Sequence, residues 1–375
     1  MSESLCDYAA LASKGVQGLH PYLPGKPIEE LERELGLTDI VKLASNENPL
    51  GLSAKASIAI GKVVASGARY PDGNGYILKR ALSDYFKDRQ QRVALEQITL
   101  GNGSNDVLDI IARAYAQPGS EIIYSEYAFA VYAISCQSVG ATAVVTPAKS
   151  WGHDLEAMLG AITDKTSLIF IANPNNPTGT ALTYVQVQRF LDQVPTNVLV
   201  VLDEAYCEYI DDEDFPDGVA LLSSYSNLIV TRTFSKAWGL ASMRVGYAIS
   251  NLVIADILNR VRQPFNVNSF ALAAASAVLK DSEYLCKGKE INQSGLKQVS
   301  NGLSALGLSY IPSKGNFISF DVGRDADEVF QALLSEGVIV RPLANYSMSH
   351  FLRVSIGLES ENLRFLDALQ KVIRA

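Results

Sequence analysis

Histidine and cysteine are scarce in this chain, with three histidines (His20, His153, His350) and four cysteines (Cys6, Cys136, Cys207, Cys286) in 375 residues. The histidines lie far apart and no HExxH occurs, so a metal centre would need carboxylates for nearly all its ligands. No metal is expected, and a histidine-based catalytic dyad is hardly better supported. The cysteines form no CxxC pair, which indicates neither a disulfide framework nor a zinc cluster. Basic blocks are missing as well: the net charge is −8 and no Lys/Arg stripe stands out, which disfavours a nucleic-acid partner. No apolar run is long enough to span a bilayer, and MSESLCDYAALASKG lacks both a basic start and an apolar signal core. The expected compartment is the cytoplasm, with no membrane association.

What is present is a chain long enough for a large domain and a smaller one, with 48% hydrophobic residues, ample for a sizeable core. Residues 1–48 read as an N-terminal arm and a lead-in to the small domain. Pro21, Pro24 and Pro27 keep HPYLPGKP extended, and IEELERELG has helical spacing closed by Gly36. From about residue 98 short apolar strands alternate with helices: ITLG, EIIYS, TAVVT, SLIFIA, NVLVVLD and NLIVTRT. Near-continuous apolar strands between helices predict a mainly parallel sheet covered on both faces. Such sheets carry their sites at the carboxyl ends of the strands. After about residue 285 the texture becomes α+β: a helix over 291–306, NFISFDV, a helix in DADEVFQALLSEG, VIVRPL, LRVSIG and a final helix. The expected division is a large domain over 49–270 and a small C-terminal domain over 271–375.

The segment NLIVTRTFSKAWGLASMRVG (227–246) organises the rest. A buried strand runs into the hydroxyls of Thr231, Thr233 and Ser235, then Lys236, Gly239 and Arg244. A lysine just past a strand end, with hydroxyls before it and an arginine eight residues on, suits a pyridoxal-phosphate Schiff-base site. The hydroxyls and arginine would hold the phosphate. Taken alone such a lysine is a solvated surface group, so the other strand ends matter. Asp203 ends the strand before DEAY, where a carboxylate would keep a pyridine nitrogen protonated, and Tyr206 can reach the same side. Asn176 sits in the rigid NPNNPTG turn. Gly103, Ser104 and Asn105 open a helix after ITLG, where backbone N–H groups favour an anion. Tyr127 is a candidate to stack on the cofactor ring. Arg353, on the opposite face of its strand from Leu352 and Val354, wants an anion, and Arg341 could assist.

NGSND (102–106), NPNNPTG (173–179), DEAY (203–206), TFSKAWGLASMRVGY (233–247) and LRVSIG (352–357) together resemble the fold-type-I pyridoxal-phosphate aminotransferases. KLASNENPLG (42–51), RYPDG (69–73) and VIVRPL (338–343) resemble the histidinol-phosphate aminotransferases among them, from about residue 15 to 372. The resemblance implies an α/β large domain with a mainly parallel seven-stranded sheet between helices, a smaller α+β domain, and pyridoxal 5′-phosphate as cofactor. It implies that Lys236 is the Schiff-base lysine, Asp203 pairs with the ring nitrogen, and Tyr206 and Asn176 bond the phenolic oxygen. Gly103, Ser104, Thr233, Ser235 and Arg244 would bind the phosphate, with Tyr70 supplied by the other subunit of a homodimer. Arg353, Arg341 and Tyr22 would receive the substrate's anionic end, and Asn48 would line the site. The implied reaction is transamination between histidinol phosphate and 2-oxoglutarate, in histidine biosynthesis, with a small amino donor and a 2-oxo acid as partners. Rival activities on the same scaffold are aromatic amino-acid transamination (tyrosine, phenylalanine) and phosphothreonine decarboxylation. Two segments depart from the family pattern: Ser242 and Met243 replace its usual Gly-Leu, and YSMSHF (346–351) borders the substrate end.

Overall fold

The computed structural model describes residues 6–21 and 25–374. Its larger sheet has seven strands: β1 (Ile98–Gly101), β2 (Glu121–Ser125), β3 (Thr142–Thr146), β4 (Thr166–Ala172), β5 (Leu199–Asp203), β6 (Leu228–Thr233) and β7 (Gly246–Ile249). They lie in the order β1-β7-β6-β5-β4-β2-β3. All run parallel except β7, which is antiparallel to both of its neighbours. The strands read as unbroken apolar runs because both faces are covered. In β4, Ile169 and Ile171 enter one core with Leu78, Leu82 and Phe86, while Leu168 and Phe170 enter the other with Val107, Ile111 and Tyr132. The fold is α/β, helices on both sides of a mixed but mainly parallel sheet.

The reversed strand matters most for the site. Because β7 runs against its neighbours, its first residue lies at their carboxyl ends: Gly246 is opposite Gly101 of β1 and Thr233 of β6. The turn after β1, the segment after β6 and the residues before β7 therefore meet at one edge.

A second sheet of four antiparallel strands runs in the order Tyr310–Ile311, Phe317–Asp321, Phe351–Ser355, Arg341–Pro342. Its core joins Ile318, Phe320, Leu352 and Val354 to Phe365 and Leu369 of the last helix. Val41–Lys42 pairs in parallel with Val338–Ile339, so the lead-in strand rests against this second unit before reaching the large sheet. Two details differ from the sequence reading. The helix expected over 291–306 begins earlier, as Ser282–Ala305. Helix Ser269–Val278 packs Ala271, Ala274, Ala275 and Val278 into the core of the large unit, so a boundary at 270 falls inside a helix of that unit. The alanine-rich stretch carries no composition shift that would have marked this.

Strand alternation sends consecutive residues at the end of β5 to opposite sides. Asp203 faces the site, whereas Glu204, fully buried, faces Arg232 of β6. Arg232 Nε donates to Glu204 Oε2 at 2.9 Å and Nη2 to Asp217 Oδ1 at 3.0 Å; Gly218 N–H donates to Glu204 Oε1 at 2.8 Å. This pair locks the two strand ends behind the site. Truncating one partner strands a charge out of water, so Arg232→Met should cost about 3–5 kcal/mol. The double variant Arg232→Met/Glu204→Met should recover much of that loss, as measured by denaturant unfolding. An equal or greater loss in the double variant would show that the pair is not what holds these ends.

Candidate active site

A cavity of about 380 Å³ opens at the carboxyl edge of the large sheet, between it and the small unit. Its walls come from segments scattered across the chain, including Ser45, Ser104, Phe129, Asp203, Lys236 and Arg353. One end is an anion cup. Gly103, at φ +89°, turns the chain into helix Ser104–Tyr115, and the Asn102 N–H donates to Asp106 Oδ2 at 2.7 Å to close the turn. No side chain fits here. A Cβ on Gly103 would stand 2.4 Å from Arg244 Nη2, and one on Gly246 would stand 2.4 Å from the Ser104 nitrogen. Arg244, itself left-handed at φ +56°, donates from Nη1 to the Ala241 carbonyl at 3.0 Å and to Ser235 Oγ at 3.4 Å. Ser104, Asn105, Thr233 and Ser235 complete the wall. Helix N–H groups, hydroxyls and one guanidinium form a donor set that matches a phosphate.

Beyond the cup lies Asp203, 4% exposed. Tyr132 Oη donates to its Oδ2 at 2.8 Å and Thr231 Oγ1 to its Oδ1 at 3.0 Å. Burial pushes the carboxyl up to about 6, with these two donors and the Ala205 N–H working in the opposite direction. Thr231, read from sequence among the phosphate hydroxyls, thus serves the carboxylate instead. Its side chain points along the face that Asp203 shares, one strand over.

Lys236 is half-buried, and its Nζ donates to the Ser45 carbonyl at 2.9 Å. Burial, with the positive charges of Arg353 and Arg244 adding to it, depresses the amine to about 7. Tyr206, 3% exposed, receives two amide donors on its hydroxyl: Asn46 Nδ2 at 3.0 Å and Asn176 Nδ2 at 3.2 Å. The oxygen of Asn176 in turn accepts from Arg353 Nη1 at 2.5 Å, and Arg353 Nη2 donates to the Ala44 carbonyl at 3.0 Å. Arg341 stands directly across from Arg353 on the neighbouring antiparallel strand, and both line the cavity.

The structure therefore gathers Ser104, Asn105, Asn176, Asp203, Tyr206, Thr233, Ser235, Lys236, Arg244, Arg341 and Arg353 around one cavity, with Gly103 directly behind Ser104. Other sequence candidates stand elsewhere. Tyr127 is not in the wall; its ring packs 5.2 Å from that of Trp151, and Phe129 lines the cavity in its place. The loop YAF holds two aromatics two residues apart, and sequence alone offers no way to choose between them. Asn48 turns from the cavity to brace the backbone beyond the lysine, donating to the Ala237 carbonyl at 2.9 Å. Tyr70 is 83% exposed and stacks on Phe265 at 4.7 Å, away from this chain's cavity. Tyr22 lies outside the described residues. Sequence reading missed Asn46, the Ser45 carbonyl and Tyr132. Only the presence of two asparagines in SNENP hinted at the first.

An anion cup, a buried acid and a strand-end lysine at the carboxyl edge of such a sheet define a pyridoxal-phosphate enzyme of fold type I. Residues 38–369 match the aminotransferase class I and II family. The chain is 60% identical to histidinol-phosphate aminotransferase 2 of Pseudomonas fluorescens (strain Pf0-1), with 98% of each chain covered. It is 59% identical to histidinol-phosphate aminotransferase 2 of Pseudomonas aeruginosa, over 98% of this chain and 99% of that one. The histidinol-phosphate aminotransferase of Sinorhizobium meliloti, solved in complex with pyridoxal-5′-phosphate, superposes with a TM-score of 0.88 at 28% identity, with 97% of each chain covered. The chain belongs to the class I and II aminotransferases and, within them, to the histidinol-phosphate aminotransferases. It is an aminotransferase whose cofactor is pyridoxal 5′-phosphate.

A lysine held below its ordinary range burdens the cofactor-free protein. The unfolded chain binds the proton more tightly, so the cost is fully present below about pH 7 and is relieved as pH rises toward 10.5. Lys236→Met should therefore stabilise the cofactor-free protein by about 1–2 kcal/mol near pH 6.5, after allowance for the solvent-open flank. The gain should shrink steadily by pH 9.5 in denaturant unfolding. A gain that does not change with pH would mean the amine is not depressed.

Proposed function

We propose that the protein transfers the amino group between histidinol phosphate and 2-oxoglutarate, giving imidazole acetol phosphate and glutamate. Identity of about 60% to chains bearing that name supports the reading, as does the Arg341–Arg353 pair. Both substrates are anions, and forked guanidinium groups suit carboxylate and phosphate alike.

When bound, pyridoxal 5′-phosphate supplies an electron sink for the charge that develops at the substrate's Cα. The residues of the chain do the rest. Ser104, Thr233, Ser235 and Arg244, with the N–H groups behind Gly103, would hold the phosphate and fix the position of the ring. Asp203, kept anionic by Tyr132 and Thr231, would keep the ring nitrogen protonated. Tyr206 and Asn176 would bond the phenolic oxygen, and Phe129 would cover a ring face. Lys236, whose amine burial depresses to about 7, would bond the cofactor and, as a free amine, would take and hold the Cα proton at Nζ. Arg353 and Arg341 would seat the anionic end.

The same reading takes the chain as a homodimer in the cytoplasm, divided into an arm, a large domain and a small domain. Tyr70 supports the dimer. It is exposed with Phe265 beside it, and Ile58, Val64 and Ile77 are exposed in the neighbouring helices. A second copy would cover that surface and take Tyr70 into its own phosphate cup. No helix among the described residues is long and apolar enough to cross a membrane.

Steady-state kcat/KM with 2-oxoglutarate as acceptor should be higher for histidinol phosphate than for tyrosine or phenylalanine. Preference for an aromatic amino acid would transfer the assignment to the aromatic rival. Arg353→Lys should lower kcat/KM on the phosphorylated donor by about 10–100-fold, since a charge-assisted fork is replaced by a point charge. Unchanged kinetics in that variant would remove the arginine from the substrate site.

A further inference from the structure

Two amides bond the Tyr206 hydroxyl, and together they determine where its hydrogen points. Asn46 and Asn176 both direct amide N–H groups at the phenol oxygen, so neither can accept its proton. The orientation of each amide is set from its other end. Asn176 Oδ1 accepts from Arg353 Nη1, and Asn46 Oδ1 accepts from Ser355 Oγ at 3.0 Å. Arg353 and Ser355 lie two residues apart on strand Phe351–Ser355 and so project to one face. Asn46 is pinned further: its N–H donates to Ser355 Oγ at 2.7 Å, its carbonyl accepts from Asn316 Nδ2 at 3.0 Å, and its backbone is left-handed at φ +55°. It is 1% exposed and 160 residues from Tyr206 in the chain. With both amides donating, the remaining direction for the phenolic hydrogen is the cavity.

The geometry points to Asn46, held by Ser355, as a positioning residue that turns the Tyr206 O–H toward the bound cofactor. This rests on the proposed role of Tyr206 at the cofactor's phenolic oxygen. Asn46 acts through Tyr206 and need not touch substrate or cofactor. A hydrogen bond from Tyr206 disperses negative charge on that oxygen, and weakening it lets the adjoining conjugated nitrogen keep its proton to higher pH. The charged and titratable groups around Tyr206 are Lys236, Arg353 and Asp203, with Tyr132, Tyr209 and Tyr346, and none of them is replaced in the variants below.

The test is a pH titration of the visible absorbance of the cofactor-loaded protein, in Asn46→Gly, Ser355→Ala, Tyr206→Phe and the double variant Asn46→Gly/Tyr206→Phe. Glycine accepts the left-handed backbone, so the amide is removed without strain. The absorbance midpoint should rise by about 0.5–1 unit in Asn46→Gly and by less, in the same direction, in Ser355→Ala. In the Tyr206→Phe background Asn46→Gly should add nothing, because the hydroxyl it aims is gone. An unmoved midpoint in Asn46→Gly, or an equal shift in the Tyr206→Phe background, would overturn the inference and leave Asn46 with a purely structural role. Should Asn46→Gly fail to fold, an unshifted Ser355→Ala would overturn it equally. A wild-type protein that stays colourless with pyridoxal 5′-phosphate would instead bring down the reading of the whole site.

Discussion

Desolvation at the carboxyl edge of the large sheet is the constraint on which the structure depends. An acid, Asp203, is taken out of water and an amine, Lys236, partly so, and burial moves each toward neutrality from opposite sides. Neither would stay in this position without support. The acid keeps its charge through Tyr132 and Thr231, and the amine finds an acceptor in the Ser45 carbonyl. Immediately behind the acid, Glu204 and Arg232 form a second buried pair that keeps β5 and β6 from slipping. Buried charge thus meets at these two strand ends, while apolar packing covers both faces of the sheet behind them.

One reversed strand converts that edge into a site. In an all-parallel sheet the residue before a strand lies at the amino edge, away from the chemistry. Because β7 runs the other way, Arg244 emerges beside Ser104 and Ser235, and the cup forms from three connections rather than one. Gly103 and Gly246 are required there because a Cβ on either would collide with the arginine or with the backbone it faces. The second unit contributes by contact across the cavity. Strand Phe351–Ser355 reaches Asn176 and Asn46, both of which end on the same phenol, so the small sheet and the large one are joined through Tyr206.

Much of this was legible before any coordinates. Apolar strands alternating with helices implied the parallel sheet, since burial on both faces leaves no room for polar alternation. Asp203 stood out because it ends an apolar strand, Lys236 because it follows one beside hydroxyl residues, and Asn176 because it sits in a turn with two prolines and a glycine. Where reading failed, the signal was a choice between near neighbours. Tyr127 and Phe129 are both aromatic in one loop, and Asn46 and Asn48 are both asparagines in one turn. The side chain that faces the cavity in each pair follows from backbone angles, such as the left-handed φ of Asn46, that composition does not encode. Thr231 was placed with the wrong partner because its hydroxyl could serve either a phosphate or a carboxylate, and the strand register chose the carboxylate.

The sequence by itself determined the fold class and the cofactor's chemistry, and it singled out Lys236, Asp203 and Arg244, which the structure gathers around one cavity. These depend on local order along the chain: strand, turn, functional residue. Tertiary structure alone decided which groups support them. Tyr132 bonds Asp203 across 71 residues, and Ser355 bonds Asn46 across 309, distances at which no spacing rule operates. Hydrogen bonding is short-ranged and directional, so such partners exist only once the packed backbone has brought them within about 3 Å of each other.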